Sequence, residues 1–218
     1  MPDGTLEALK WIGLVSMTLD HINKYIFSYH YPWMFEFGRL AMPLFAFVLA
    51  YNLARPRALL SGSHVRAIWH MLFFGTLALP FHTVLNEGMF FFSWYPLNIM
   101  FMLLAATYVI YLLDKERHWP ALLIFLLLGA LVEYWWLGLA CCISAWWYCK
   151  WPGRHTLLGW LVMTSALVLI NGNFWALTIF PLVFLARYLN MDIPRFRYVF
   201  YVYYPLHLAA ILVLRRLI

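Results

Sequence analysis

The chain reads as an all-α transmembrane bundle, one domain over residues 1–218 built from about eight to ten short helices. Three observations carry that reading. Apolar residues make up 65% of the sequence and charged residues 11%, against roughly half and about a quarter in soluble domains. Twelve Trp, fourteen Tyr and eighteen Phe present more apolar surface than one water-soluble core of this length hides. Charge-free runs recur from end to end, and at about 20 residues per span they leave little outside the bilayer. A separate soluble domain is excluded on this reading, and so is disorder, which requires low hydrophobicity. Fifteen Lys and Arg stand against nine Asp and Glu. In a soluble protein that excess would point to nucleic acid; here it records membrane topology, and no nucleic-acid partner is expected.

The first element, Leu9 to Phe27, follows a start, Met1-Pro2-Asp3-Gly4, without the basic region of a signal peptide, so it is expected to be retained. Next come Leu40 to Ala54, Ala67 to Asn86, Gly88 to Leu113, His118 to Val132 and Tyr134 to Cys149. The run from His155 to Ala186 carries Asn171-Gly172-Asn173 at its middle, a turn signal, and divides into two short antiparallel helices. Tyr198 to Leu214 is the last element. With a cytoplasmic N-terminus, nine elements place Lys10, Arg55, Arg57, Arg66, Lys115, Arg117, Lys150, Arg154, Arg187, Arg195 and Arg197 inside, while Glu36, Glu87 and Glu133 fall in the opposite connections. This is the asymmetry of an inner (plasma) membrane protein, with almost no Lys or Arg in the opposite connections, and Arg215 and Arg216 at the C-terminus break it. Cys141, Cys142 and Cys149 share one apolar stretch; an odd number there fits neither a disulfide framework nor a four-ligand zinc site, so they read as helix-packing residues and no metal is expected.

Ionisable groups inside a span need a reason, because a charge at the bilayer centre costs about 2.5–3.5 kcal/mol or more. Gly13, Ser16, Asp20 and Asn23 recur at helical steps and form a polar stripe on the first helix. Ten residues beyond Lys10, Asp20 lies about 15 Å deep. His21 is its neighbour in sequence but about 100° round the helix, so each requires its own partner. Arg39 precedes Pro43, which has no N–H for the Arg39 carbonyl, and a kink is expected there. Asp20 is the carboxylate nearest to Arg39 in depth, with Glu36 and Glu133 behind it. In the last element, His207 stands level with Asp20 and His21, above Tyr203 and Tyr204 on its own helical face. A neutral imidazole with an accessible nitrogen is a general base. Asn98, Glu133 and Tyr134 are lesser members at the outer ends of their spans.

Each pattern also has a structural reading. Asp20 and Arg39 can simply neutralise one another, and His207 can bond a helix carbonyl. His30, His64, His118 and His155 fall in connections and are expected in solvent; His70 and His82 lie within a span as structural residues. Arg55, Arg57 and Arg66 can clamp the phosphates of a cytosolic cofactor or only obey the inner-side charge bias.

The segment Leu14-Val15-Ser16-Met17-Thr18-Leu19-Asp20-His21, then Trp33-Met34-Phe35, Gly38-Arg39 with Pro43-Leu44-Phe45-Ala46, Asn98-Ile99-Met100-Phe101, Tyr134 and the closing Tyr204-Pro205-Leu206-His207-Leu208 resemble the TraX family, the F-pilin N-acetylases of conjugation systems. The motifs occur in the family's order and cover nearly the whole chain. The resemblance implies a multi-pass bacterial inner-membrane acetyltransferase that uses acetyl-CoA as co-substrate and acetylates a pilin N-terminus. Asp20, His21, Arg39, Asn98 and His207 match motif positions. After the aromatic at Tyr134 the family often has a small residue, where this chain has Trp135 and Trp136. On this basis His21 or His207 is expected to take the acceptor's proton, Asp20 to orient or charge one of them, and Arg39 with Asn98 to steady an anion. Tyr134, Tyr204 and Glu133 would contact the acceptor, and Arg55, Arg57 and Arg66 the acetyl-CoA. Two alternatives stand beside this reading: acetylation of a glycan or lipid hydroxyl, and a proton-coupled transporter, which usually shows paired inverted repeats that this sequence lacks.

Overall fold

The computed structural model describes residues 1–87, 92–196 and 198–217. The Gly88 that opens the expected fourth span and the Arg197 counted among the inner cations lie outside the described residues. Eleven α-helices and one 3-10 turn form among the described residues, with a single isolated bridge between Leu97 and Val132 as the extended pairing.

Helix α1 (Asp3–Tyr25) starts earlier than the expected Leu9 and buries Leu6, Leu9, Gly13, Ser16 and Met17 at three- and four-residue steps. The second expected element, Leu40 to Ala54, is α3 (Ala41–Leu53); a helix that was not expected, α2 (Pro32–Gly38), precedes it across a turn at Arg39 and Leu40. Pro43 sits in the first turn of α3, where a missing N–H costs no intrahelical bond. After α4 (Ser63–Leu85), the expected fourth span becomes helical only at α5 (Ile99–Asp114). Pro96 disfavours helical conformation at Tyr95, and Asn98 caps the new helix by accepting from the Met100 N–H at 3.1 Å. Then follow α6 (His118–Gly129), α7 (Trp135–Lys150), α8 (Arg154–Ala166) and the short α9 (Val168–Asn171). Gly172 ends α9 with φ +69°, a left-handed conformation that glycine adopts without steric cost. A 3-10 turn (Trp175–Thr178) leads into α10 (Ile179–Ala186), and α11 (Val199–Leu217) closes the chain.

Packing between α1 and α3, α3 and α7, α7 and α5, α5 and α4, α4 and α11, and α11 and α1 closes a ring of six helices, with α6 and α8 packed on its outside. Cross-links show which helix ends coincide. At one end Asp3 pairs with Arg55, whose hydrogen bond holds the Asp3 carboxyl below the usual carboxylate range, and Thr5 donates to the Leu189 carbonyl at 2.8 Å. There too, His64 Nε2 lies 2.9 Å from the Asp114 carboxylate, which also pairs with Lys150. At the opposite end the Tyr25 hydroxyl donates to Asn86 Oδ1 at 2.9 Å, and Arg215 donates to the Leu85 carbonyl at 3.4 Å. The elements therefore run alternately up and down. Arg215 thus meets the C-terminal end of α4, where the helix favours a cation.

Two described stretches, Pro32–Leu53 and Ser63–Leu85, are long and apolar enough to cross a bilayer by length and composition; Ile99–Asp114, His118–Gly129 and Trp175–Ala186 are shorter apolar helices. Cys141 and Cys142 are buried and unbridged, with Cys142 Sγ 3.7 Å from the Ala46 carbonyl and Cys141 Sγ 3.5 Å from Thr164 Oγ1, where α7 meets α3 and α8.

Candidate functional site

The ring encloses a cavity of about 610 Å³. Along α1 it extends from Lys10 past Met17, Asp20 and His21 to Lys24, roughly 21 Å of helix. Polar groups from five parts of the chain meet in it.

At mid-length the α1 and α11 backbones bring two imidazoles together. His21 Nδ1 lies 2.7 Å from His207 Nε2, and the rings are parallel to within 4°. His207 Nδ1 lies 3.1 Å from the Tyr203 carbonyl one turn back, and a carbonyl only accepts. The proton of neutral His207 is therefore on Nδ1, its Nε2 accepts, and His21 Nδ1 is the donor between the rings. That leaves His21 Nε2, on a ring that lines the cavity, with a lone pair free of any partner among the described residues. His207 itself is buried and is not among the lining residues. Its position is fixed from the other side by the parallel Tyr203 ring, whose hydroxyl is 2.7 Å from Thr18 Oγ1 on α1.

Asp20 forms an ion pair with Arg39, so the two members of the Asp-His pair do find separate partners. Arg39 is held on every side: Nε donates to the Phe35 carbonyl at 3.3 Å, Nη1 to Asn171 Oδ1 at 3.4 Å, and the guanidinium stacks over Phe35 at 4.3 Å. The approach of α2 to α1 depends on Gly38, where an added Cβ would lie 2.5 Å from the Asp20 Cβ. Gly38→Ala is expected to push Asp20 out of register with Arg39 and to cost about 1–3 kcal/mol of stability, measurable by thermal unfolding in detergent.

Beyond this pair the cavity is lined by Glu133, Tyr134, Tyr29 and Lys24, and by Tyr204 on α11. The Glu133-Tyr134 turn is pinned to the segment before α5: the Leu97 N–H donates to the Leu131 carbonyl at 2.8 Å, the Glu133 N–H to the Leu97 carbonyl at 2.9 Å, and the Trp135 indole to the Tyr95 hydroxyl at 3.0 Å. These bonds hold Tyr134 and Trp135 at φ 59° and 46°, unfavourable for residues with a side chain, and such strain concentrates at functional sites. Glu133 Oε1 is 3.4 Å from His82 Nε2, so buried His82 belongs to this wall. At the other end the cavity is bordered by Lys10, Arg55, Arg66 and Arg195.

Several expected assignments change. Asn98 lies outside the cavity lining: it is fully buried, its carbonyl oxygen caps α5 and its amide donates to the Gly75 carbonyl at 3.0 Å, which leaves nothing to steady an anion. Arg57 is exposed in the α3–α4 connection and is not a lining residue, whereas Arg55 and Arg66 are. His64 is buried, not solvated, because it is a partner of the buried Asp114. His30, His118 and His155 are exposed. His70 lines the cavity, stacked on Tyr201 at 5.2 Å. The sequence marks Lys10, Arg195 and Asn171 only as inner cations and a turn residue, not as site residues, and does not single out Lys24, although it stands four residues after Asp20 on the same helical face.

The family model described as TraX protein matches residues 5–215. A Protein TraX of Escherichia coli is 35% identical over 133 residues, and one from strain K12 is 32% identical over 131; each alignment covers 59% of this chain and 49% of the relative. The chain thus spans about half the length of the curated relatives it matches. No solved structure matches it. With a family model covering the ring helices and every cavity-lining residue from Lys10 to Tyr204, the chain belongs to the TraX family.

Proposed function

We propose that this chain is a multi-pass inner-membrane acetyltransferase, moving the acetyl group of cytosolic acetyl-CoA to an exported acceptor, the N-terminal amine of a pilin or similar protein. The observation that carries the proposal is the position of His21 Nε2: an oriented base with a free lone pair, inside one cavity that joins a basic end to a polar end.

Membrane placement is supported by the outer surface. Trp69, Phe73, Trp119, Leu123, Trp147 and Leu158 are all exposed, which suits a lipid surround and not water. The alternating helices gather Lys10, Arg55, Arg66, Lys150 and Arg195 at one end, as the cytoplasmic end of such a protein requires. That end fits a phosphate-bearing co-substrate, since Arg66 and Arg195 line the cavity there with no carboxylate in ion-pair contact among the described residues. When bound, acetyl-CoA supplies an acetyl thioester.

The chain's own residues then do the following. His21 Nε2 accepts the proton of the acceptor as its nucleophilic atom bonds to the acetyl carbonyl carbon. His207 holds the tautomer that keeps this nitrogen free. As the carbon–sulfur bond breaks, the same imidazolium returns the proton to the departing thiolate. Asp20 and Arg39 hold α1 and α2 together at this level, and Glu133, Tyr134 and Tyr204 border the acceptor's side.

Purified protein in lipid nanodiscs, given labelled acetyl-CoA with a peptide bearing a free N-terminus, the same peptide blocked, or a glycan hydroxyl acceptor, tests the reading. Label on the free peptide alone is the expected result. Label on the hydroxyl acceptor alone would move the acceptor class, and label on none would remove the enzyme.

A further inference from the structure

Transfer through His21 leaves one requirement unmet. When the acetyl carbonyl is attacked, its oxygen becomes negatively charged, and in a cavity of low dielectric that charge needs a fixed donor. The two residues expected to supply it are occupied elsewhere. Arg39 is bound by Asp20, Asn171 and the Phe35 carbonyl, and Asn98 by the α5 N-terminus and Gly75.

Lys24 is differently placed. It lines the cavity one helical turn beyond His21, so the two Cβ atoms stand about 5–6 Å apart on one helix. Attacking atom and developing oxyanion are bonded to the same carbon, so a base and an anion donor separated by one turn can flank a single acetyl group. Among the described residues no carboxylate lies within ion-pair distance of the Lys24 ammonium, in contrast to Lys10 with Glu7, Arg39 with Asp20 and Arg55 with Asp3. Its hydrogen bond goes to a neutral acceptor, Asn86 Oδ1, at 3.2 Å, and it sits 4.7 Å from the Tyr25 ring. An ammonium has three N–H donors, so two remain after Asn86.

Asn86 is itself immobilised. It is buried at 2% exposure, accepts from the Tyr25 hydroxyl at 2.9 Å, and its amide lies 2.9 Å from His82 Nε2. The ammonium is therefore anchored before any substrate arrives, which is the condition for strong electrostatic stabilisation without reorganisation.

We propose that Lys24 is a catalytic residue, donating hydrogen bonds to the acetyl carbonyl oxygen as it becomes an oxyanion. The inference rests on the acetyltransferase reading. In the step, the new bond to the carbonyl carbon pushes the carbonyl electron pair onto oxygen beside Lys24; that pair re-forms the carbonyl as the carbon–sulfur bond breaks and the thiolate leaves. Lys24 keeps its protons throughout.

The test is steady-state kinetics of the full chain in nanodiscs with acetyl-CoA and a free-amine peptide. Lys24→Met keeps the aliphatic stem and removes the charge; it should lower kcat by about 10²–10³-fold, while KM for acetyl-CoA changes by less than about threefold. Lys24→Arg restores a cation and should recover at least about tenfold of that loss. A purely structural role would give equal losses for both variants, with a lowered Tm, and would overturn the proposal. So would a kcat for Lys24→Met within about threefold of wild type, or an effect confined to KM. Should Lys24→Met not fold, Lys24→Gln is judged by the same kinetic criteria. Wild-type turnover with indifferent Lys24 variants removes only this inference; no turnover by wild type with any acceptor removes the enzyme reading and this one together.

Discussion

His21→Ala is expected to lower acetyl transfer by about 10²–10⁴-fold, the range for loss of a general base. The size follows from the lone pair at Nε2, because among the described residues no other lining imidazole near Asp20 offers one: His70 lines the cavity but belongs to the stretch nearer the basic end, edge-on to Tyr198 and stacked on Tyr201. His207→Ala leaves His21 in place but frees its tautomer and ring orientation, so a loss of similar direction is expected. Because the two rings act as a unit, the double replacement should be no worse than His21→Ala alone. Rates for both single variants and the double, measured on protein of equal Tm, decide the matter. Unchanged transfer by both single variants would remove the imidazole pair from the mechanism, and additive losses would separate the roles of the two rings.

Arg39→Met is expected to destabilise the fold by about 3–5 kcal/mol, because it strands the Asp20 carboxylate with side-chain exposure of only 16%. Adding Asp20→Asn in the same chain should recover much of that loss, since a neutral amide costs less to bury than an unpaired anion. Thermal or denaturant unfolding of the two single variants and the double gives the coupling directly. Strict additivity would mean that Asp20 and Arg39 find other compensation, and the pair would no longer be the clasp between α1 and α2.

Much of the fold was legible because a long uncharged apolar run satisfies its own backbone polar groups most simply as a helix. Charge-free runs mark helices whatever packs against them, and Asn171-Gly172-Asn173 marks a reversal through the left-handed φ of Gly172. The partnership of Asp20 with Arg39 was readable from depth alone, since two buried ions of opposite sign have few alternatives. The start of α5 was not: residues 92–98 carry no charge to mark a break, and Pro96 with the Asn98 cap decides where helical bonding begins. His64 was misplaced for a related reason, as its burial depends on Asp114, which is fifty residues away in sequence and part of another helix end.

By itself, then, the order of amino acids marked most of the helical segments, though not α2 or the start of α5; it also settled which end of each gathers cations, and that an acid and a guanidinium must neutralise one another. Those outcomes depend on local hydrophobicity and on depth along a helix axis, both countable one residue at a time. Rotation and neighbourhood belong to the packed ring. Only there do His21 and His207, 186 residues apart, share a hydrogen bond; only there is Asn98 spent on a helix terminus and Lys24 left beside the cavity with no carboxylate at ion-pair distance among the described residues. The reason is geometric: a helix face is chosen by what closes against it, and α11 takes its place between α1 and α4 through contacts that no local pattern encodes.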